Sequence, residues 1–231
     1  MASVFSKWYL VDLGLRDYRE AWALQRRLVE ARKDGALQMD VVLFVEHPAV
    51  FTLGRRGGLG NLKVNQSFLA DRSIDLVHVE RGGDITYHGP GQLVLYPIVN
   101  LRSMGMGVLP FVEGLEEIMI RTVAKWGIQG ERNAMNRGAW VDGKKIGSIG
   151  IAVRRSVSFH GLALNVNIDL EPFSWVNPCG LHDVAVTSME QQLRKALPME
   201  EVKKAVHRCM EAVFVISLTA LSVRELKEIV P

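Results

Sequence analysis

Residues 81–92 read RGGDITYHGPGQ, and this stretch carries the densest signal in the 231-residue chain. It follows the apolar segment Ile74 to Val79, which predicts a strand. Its four glycines and one proline predict a shaped loop whose backbone can approach a ligand closely. The spacing matches neither a phosphate-binding loop nor a dinucleotide-binding fingerprint. His88 has no second ligand at metal spacing, so no metal site is predicted.

Further strand patterns lie on both sides of this loop. Val41 to Val45 is a continuous apolar run and predicts a buried strand, and Ala49 to Leu53 is expected to return beside it after Pro48. Asp142-Gly143 between two apolar arms predicts a hairpin with a type I′ turn. The other predicted strands are Leu93 to Val99, the alternating residues Ile149 to Val153, and Leu162 to Ile168.

Helical patterns flank these strands. Asp17 with Glu20 predicts a helix start, and Gly35 ends that segment. The remaining helices are predicted from Pro110 to Gly127, over Val202 to Val213, and after the capping pair Ser222 and Glu225. The expected fold class is α/β or α+β, a mixed β-sheet with flanking helices. Because no linker or repeat interrupts the chain, residues 1–231 are expected to form a single domain.

Composition narrows the functional classes. Hydrophobic residues make up 48% and charged residues 23%, with a net charge of +3 and no block of basic residues, so neither nucleic-acid binding nor a membrane span is expected. The N-terminal residues lack a signal-peptide pattern. Two cysteines do not make a disulfide framework, which favours a reducing cytoplasm.

The two cysteines differ in context. Cys209 falls on the apolar face of a predicted helix, where cysteine behaves as a small hydrophobic residue. Cys179 lies between Pro178 and Gly180 and is therefore predicted on a turn, with backbone N–H groups nearby that could stabilise an oxyanion. A thiol attacks as the thiolate, so a nucleophilic Cys179 requires a neighbouring base or cation.

Several side chains could activate this thiol, namely His88, His160, His182, Lys144 and Lys145. Alternation along the returning arm of the hairpin turns Lys145 to the face opposite Lys144. An inward-facing lysine needs a partner or a shifted pKa, which singles out Lys145. His182 and Asp183 follow Cys179 closely but are equally expected of an ordinary polar surface.

The stretch at residues 81–92 resembles the signature of the octanoyl-[acyl-carrier-protein]:protein octanoyltransferases, the lipoate-protein ligase B family. Four further stretches match that family in the same order, over residues 41–190. They are Thr52-Leu53-Gly54-Arg55, the segment from Lys145 to Gly150, the segment from His160 to Val166, and Pro178-Cys179-Gly180 followed by Val186-Thr187-Ser188. Gly147 and Ser148 stand where many members have alanine, a small-for-small exchange.

The resemblance implies a lipoyl(octanoyl) transferase with the fold of biotin and lipoate protein ligases. Cys179 would be the acyl-thioester nucleophile, and Lys145 would lower the pKa of its thiol. No cofactor is implied. The implied acyl-binding residues are Arg81, Gly82, Gly83, Asp84, Ile85, Thr86, Tyr87 and His88, together with Ser148, Ile149, Gly150, Gly161, Leu162 and Ala163.

The implied donor is octanoyl-acyl carrier protein. The implied acceptors are lysines on the lipoyl domains of 2-oxo acid dehydrogenase E2 subunits and on the glycine-cleavage H protein. Three other functions stay open. One is an ATP-dependent lipoate or biotin-type protein ligase, which needs no nucleophilic cysteine. The second is a cysteine protease or thioesterase with His160 or His182 as base, and the third is a non-catalytic module that binds lipoyl domains.

Overall fold

The computed structural model describes residues 6–134, 136–177 and 184–230. Within these ranges, ten strands belong to two sheets: β1 (Ser6–Leu15), β2 (Asp40–Glu46), β3 (Val50–Leu53), β4 (Asp75–His78), β5 (Ile85–His88), β6 (Gln92–Ile98), β7 (Gly138–Val141), β8 (Lys144–Arg154), β9 (Val157–Asn165) and β10 (Ile216–Leu221). The α-helices are α1 (Tyr18–Lys33), α2 (Gln66–Ala70), α3 (Val108–Ala124), α4 (Met189–Leu193), α5 (Met199–Phe214) and α6 (Val223–Ile229), with short 3₁₀ turns at Leu59–Asn61 and Glu171–Trp175.

The large sheet is mixed, in the order β10-β1-β2-β6-β9-β8-β7. Both of its faces are covered. Residues such as Val42 and Phe44 pack with α3 and α5, whereas Val41 and Leu43 pack with α1 and α6. Burial on both faces explains why β2 is a continuous apolar run and does not alternate. The predicted class, a mixed sheet with flanking helices, is confirmed.

The predicted pairing of Ala49 to Leu53 with the preceding strand is wrong. Both edges of β2 are already occupied, by β1 in parallel and by β6 in antiparallel orientation. β3 therefore enters a second, three-stranded sheet in the order β4-β3-β5. This small sheet has its own apolar cluster, which includes Phe51 and Leu53.

The segment at residues 81–92 is also not loop throughout. Ile85–His88 is strand β5, antiparallel to β3, so the glycines lie in turns on either side of it. The strand places alternate side chains on opposite faces. No helix in the described part of the chain is long and apolar enough to cross a membrane.

Local signals in the sequence correspond to the observed element ends. The Asp17 side chain accepts hydrogen bonds from the amides of Arg19 and Glu20 at the start of α1. Ser222 and Glu225 form a complete capping box at α6. Asp142 and Gly143 both have positive φ, 47° and 73°, as a type I′ turn requires.

Candidate active site

A cavity of about 410 Å³ lies against β8 and β9 and is bounded on another side by residues 81–88. It brings together nearly all of the residues that the sequence singled out, from three separate parts of the chain. Those that line it are Arg81, Gly82, Gly83, Asp84, Ile85, Thr86, His88, Lys145, Ser148, Ile149, Gly150, Gly161, Leu162 and Ala163.

Tyr87 is placed differently from its neighbours. It lies on the opposite face of β5 from Thr86 and His88, where its ring packs 5.1 Å from Phe51 and 5.5 Å from Phe173, centroid to centroid. Its side chain belongs to the core of the small sheet. Tyr87 therefore supports the wall of the cavity from behind.

Arg81 holds the glycine loop in place. Its guanidinium donates to the carbonyl oxygen of Thr52 at 2.7 Å and to the Thr52 hydroxyl at 2.8 Å. The next amide, Gly82 N, donates to the carbonyl of Ile151 on β8 at 2.8 Å. This loop thus connects the two sheets, and the buried Arg81 side chain holds it in place.

Two glycines let backbone form the cavity wall. A Cβ atom at Gly161 would lie 2.0 Å from the carbonyl oxygen of Leu95, and one at Gly150 would lie 2.9 Å from the carbonyl oxygen of Gly82. Neither backbone neighbour can give way easily. These positions require glycine because of close approach, which agrees with their predicted place in the site.

Lys145 faces the cavity, and its neighbour Lys144 is exposed to solvent. The predicted opposite orientation of the two lysines is therefore confirmed, and the role of Lys145 stays a prediction. Between the pairs Ala139–Gly147 and Trp140–Lys145 the register shifts, so Ile146 is an extra residue on β8. Such a bulge changes the alternation and puts Lys145 beside Ser148 and Gly150 in the cavity lining.

Asn136 is a site residue that the sequence did not reveal. Its side-chain oxygen accepts a hydrogen bond from Lys145 Nζ at 2.5 Å, and its backbone oxygen accepts one from the Trp140 indole at 3.0 Å. The Lys145 ammonium also lies 5.5 Å from the centre of the Trp140 ring. Asn136 sits in an irregular segment outside the motifs, so periodicity gave no signal for it.

A buried carboxylate orders the same region. Glu116 on α3 is fully buried, accepts from the amide of Gly138 at 3.0 Å and pairs with Arg137 at 3.2 Å. The contact holds the start of β7, and through the hairpin the position of Lys145. Within helix α3 the sequence distinguishes Glu116 from a surface glutamate only by its place on the apolar face.

Cys179, like His182 and Asp183, lies outside the described residues. Both flanks of its segment are attached to the site. The amide of Asn177 donates to the carbonyl of Asn61 at 2.8 Å, and the Lys145 amide donates to the carbonyl of Ala185 at 2.8 Å. Thr187 N in turn donates to the Lys145 carbonyl at 3.0 Å. Val184 and Val186 line the cavity. Cys209 is buried on α5, as predicted for a core residue.

Buried aromatic and imidazole groups form the floor. His88 stacks on Tyr18 at 5.8 Å, and its Nδ1–H donates a hydrogen bond to the Gln92 amide oxygen at 2.7 Å. His47 contacts the Tyr96 hydroxyl at 2.8 Å through Nε2. Burial lowers the pKa of His88 to about 3, with a further contribution from the nearby His47, and burial lowers the pKa of His47 to about 4.

These two histidines predict a loss of stability in mild acid. An unfolded histidine titrates near pH 6.5, whereas both folded groups stay neutral to about pH 4, so protons bind the unfolded chain preferentially below pH 6.5. The stability is fully present above that pH and falls by about 3–6 kcal/mol by pH 4. Urea unfolding at pH 7, 6, 5 and 4 measures this slope.

The matched control is His78, an exposed histidine on β4. We expect His78→Gln to leave the pH slope unchanged and His88→Gln to flatten it. Equal slopes for His88→Gln and the unsubstituted protein would show that His88 is protonated alike in both states.

Comparison with known proteins supplies an independent finding. Residues 17–211 match the family model described as "Lipoyl protein ligase A/B catalytic domain". The octanoyltransferase of Desulfotalea psychrophila is 52% identical over 198 residues, covering 85% of this chain and 89% of that protein. That of Syntrophobacter fumaroxidans is 46% identical and covers 87% of each.

Solved structures agree on the fold. A crystal structure of lipoate-protein ligase A bound with ATP superposes with a TM-score of 0.79 at 17% identity, covering 96% of this chain and 91% of that one. Biotin protein ligase from Aquifex aeolicus, in complex with biotin and ATP, gives a TM-score of 0.55 at 13% identity, covering 90% and 70%. The family model over residues 17–211 and the relatives at 46% and 52% identity show that the chain belongs to the lipoyl protein ligase A/B catalytic domain family.

Proposed function

We propose that this protein is an octanoyltransferase of protein lipoylation, in which Cys179 carries the acyl group between two protein partners. The observation that carries the proposal is the cavity. It has glycine backbone in its walls and an inward-facing lysine, Lys145, whose backbone is hydrogen-bonded to the chain that follows the Cys179 segment. Relatives that are 46% and 52% identical bear the name octanoyltransferase.

The described residues on either side of Cys179 support a place for it near the cavity. Cys179 is two residues from Asn177, and two residues span at most about 7 Å. Before Cys179, the backbone amide of Asn177 is hydrogen-bonded to Asn61. After it, the carbonyl of Ala185 is hydrogen-bonded to the amide of Lys145. The proposed mechanism requires the Cys179 thiol to work at the cavity mouth, where a cation such as the Lys145 ammonium favours the thiolate.

The reaction proceeds in two balanced steps. The Cys179 thiolate attacks the carbonyl carbon of the donor thioester, a new carbon–sulfur bond forms, and the carrier leaves as a thiol after taking up a proton. The amine of the acceptor lysine then attacks the Cys179 thioester, an amide forms, the amine releases a proton, and the cysteine sulfur is expelled. The covalent intermediate separates one two-protein reaction into two encounters.

The cavity suits the acyl chain physically. Glycine backbone at positions 150 and 161 and the side chains of Ile149, Leu162 and Ala163 offer a mostly apolar lining. Burial contributes about 0.8 kcal/mol per methylene, so an octanoyl chain gains several kcal/mol of binding. Ser148 and His88 are among the polar groups of the lining that can orient a ligand.

The proposed donor is octanoyl-acyl carrier protein, and the proposed acceptors are lipoyl domains of 2-oxo acid dehydrogenase E2 subunits and the glycine-cleavage H protein. We further propose that residues 1–231 act as one catalytic domain in the cytoplasm. Two cysteines with separate roles, one in the core and one nucleophilic, fit a reducing compartment.

One alternative has an observation in its favour. The lipoate-protein ligase A structure with ATP shares this fold, and a ligase would activate a free acid as an adenylate. A transferase requires no such activation, because its donor is already a thioester. The two functions therefore differ in the substrates they need.

A lipoyl domain incubated with octanoyl-acyl carrier protein, with nucleotide removed and EDTA present, discriminates between them. We expect the domain mass to rise by one octanoyl group under these conditions. The matched reaction contains free octanoate, ATP and Mg²⁺ without the carrier, and we expect it to yield no modified domain. Modification only in the second mixture would assign the protein to the ligases.

A further inference from the structure

The cavity has a defined far end. From Lys145 to Gly150 the strand β8 advances roughly 13–16 Å, depending on the bulge. There the loop crosses over it, since Gly82 N bonds the Ile151 carbonyl and Gly82 O lies 2.9 Å from a Cβ position at Gly150. An extended chain of eight carbons is about 9 Å long, given bonds of about 1.5 Å. The Lys145 side chain itself leans along β8, because its Cε lies 2.9 Å from a Cβ position at Gly138, and Gly138 pairs with Ser148. From Ser148 to Ile151 the strand advances about 10 Å, so a chain that starts at the Lys145 ammonium ends close to this crossing.

His160 lies at that end. It pairs with Ile151 across the β8–β9 ladder, is 1% exposed, and lines the cavity. Its backbone φ is 53°, in the left-handed region, although it is a buried strand residue. Non-glycine residues in this region cost free energy and cluster at functional sites.

The surrounding structure fixes this conformation. β9 pairs with β6 over Leu162–Asn165, and contact resumes where Ser158 N donates to the Val99 carbonyl. Between these points β6 carries Pro97, which has no N–H to donate. The amide of His160 leaves the ladder and donates to the Gln25 side-chain oxygen of α1 at 2.7 Å. The main chain at His160 is therefore anchored to a helix and cannot recede easily.

The imidazole is packed but polar. It stacks on Phe159 at 5.0 Å and meets Tyr96 edge-on at 6.3 Å. Its Nε2 is 3.7 Å from a Glu80 carboxylate oxygen, longer than a hydrogen bond, and neither ring nitrogen is hydrogen-bonded to any residue of the described ranges. Burial lowers the pKa of His160, opposed by Glu80, so the ring is neutral at pH 7.

We infer that His160 sets the length of acyl chain that the cavity accepts, closing its far end with a rigidly held imidazole. The inference rests on the proposed function, since it takes the ligand to be an acyl chain. The methylenes of a longer chain would contact two polar ring nitrogens to which they cannot hydrogen-bond. The anchored backbone at His160 would prevent the ring from moving away.

Binding of straight-chain fatty acids with six, eight, ten and twelve carbons, measured by isothermal titration calorimetry, tests this directly. For the unsubstituted protein we expect affinity to rise up to eight carbons and not beyond. His160→Gly removes the ring at a position whose φ glycine adopts freely, and it should raise the affinity ratio of dodecanoate to octanoate roughly tenfold or more. Asparagine tolerates the same φ, and His160→Asn should give a smaller rise in this affinity ratio.

Ser156→Gly is the matched control, because Ser156 also has positive φ, 70°, near the start of β9 but does not line the cavity. It should leave the chain-length profile unchanged. An unshifted profile in both His160 variants, or no fatty-acid binding by the unsubstituted protein, overturns the inference. A shifted profile in a protein that fails to transfer octanoyl groups contradicts the proposed function and leaves the chain-length inference standing.

Discussion

Replacing Cys179 by alanine is expected to abolish octanoyl transfer, with a fall in turnover of about a thousandfold or more. The reason is that the thioester intermediate cannot form, and direct attack by the acceptor lysine would need donor and acceptor in the site together. Incubation with octanoyl-acyl carrier protein followed by peptide mass mapping measures the intermediate itself. The added octanoyl mass should appear on the peptide that contains Cys179 and disappear in the variant.

Cys209→Ala is the matched control, since it removes the other thiol of the chain. Cys209 is buried on α5, so this change should cost some stability by leaving a small void but leave the adduct intact. An adduct that maps to Cys209, or full turnover by Cys179→Ala, would refute the nucleophilic role of Cys179.

Lys145→Ala is expected to raise the pH at which Cys179 is alkylated by roughly 1–2 units and to slow transfer at pH 7 in proportion. A cation beside a thiol favours its ionised form, and alanine removes that cation while leaving the backbone bonds of residue 145 in place. Iodoacetamide labelling of Cys179 as a function of pH, read by mass spectrometry, gives the shift without depending on turnover.

Lys144→Ala provides the control on the neighbouring residue. Lys144 has the same charge but is exposed at the turn of the hairpin, so its removal should leave the labelling profile unchanged. Lys145→Arg should retain part of the effect, because the charge stays but the longer planar group fits less well beside Asn136. Coincident labelling profiles for Lys145→Ala and the unsubstituted protein would exclude Lys145 from tuning the thiol.

The sequence predicted local structure correctly where one residue determines the backbone conformation. Asp142-Gly143 predicted a turn with two positive φ angles, and the hairpin confirmed both the turn and the opposite exposure of Lys144 and Lys145. Asp17 similarly marked the start of α1. In each case the determining interaction spans only a few residues.

The pairing of strands that are distant in sequence could not be predicted from local chemistry. Nothing in residues 49–53 reveals that both edges of β2 are taken by strands distant in sequence. The glycines around Ile85–His88 likewise hid a strand, because the pairing partner β3 lies more than thirty positions upstream. Asn136 and Glu116 were missed for the same reason, since each matters only through contacts that the folded chain creates.

The paired backbone bonds between Lys145 and residues 185–187 have a consequence for cooperativity. They join the strand that carries Lys145 to the segment that follows Cys179, so that local opening of one opens the other. If Lys145 activates the Cys179 thiol, as proposed, the activation and the placement of that thiol are gained and lost as one unit. A partly opened molecule would therefore expose an inactive, unactivated cysteine and would not carry a reactive thiolate into solvent.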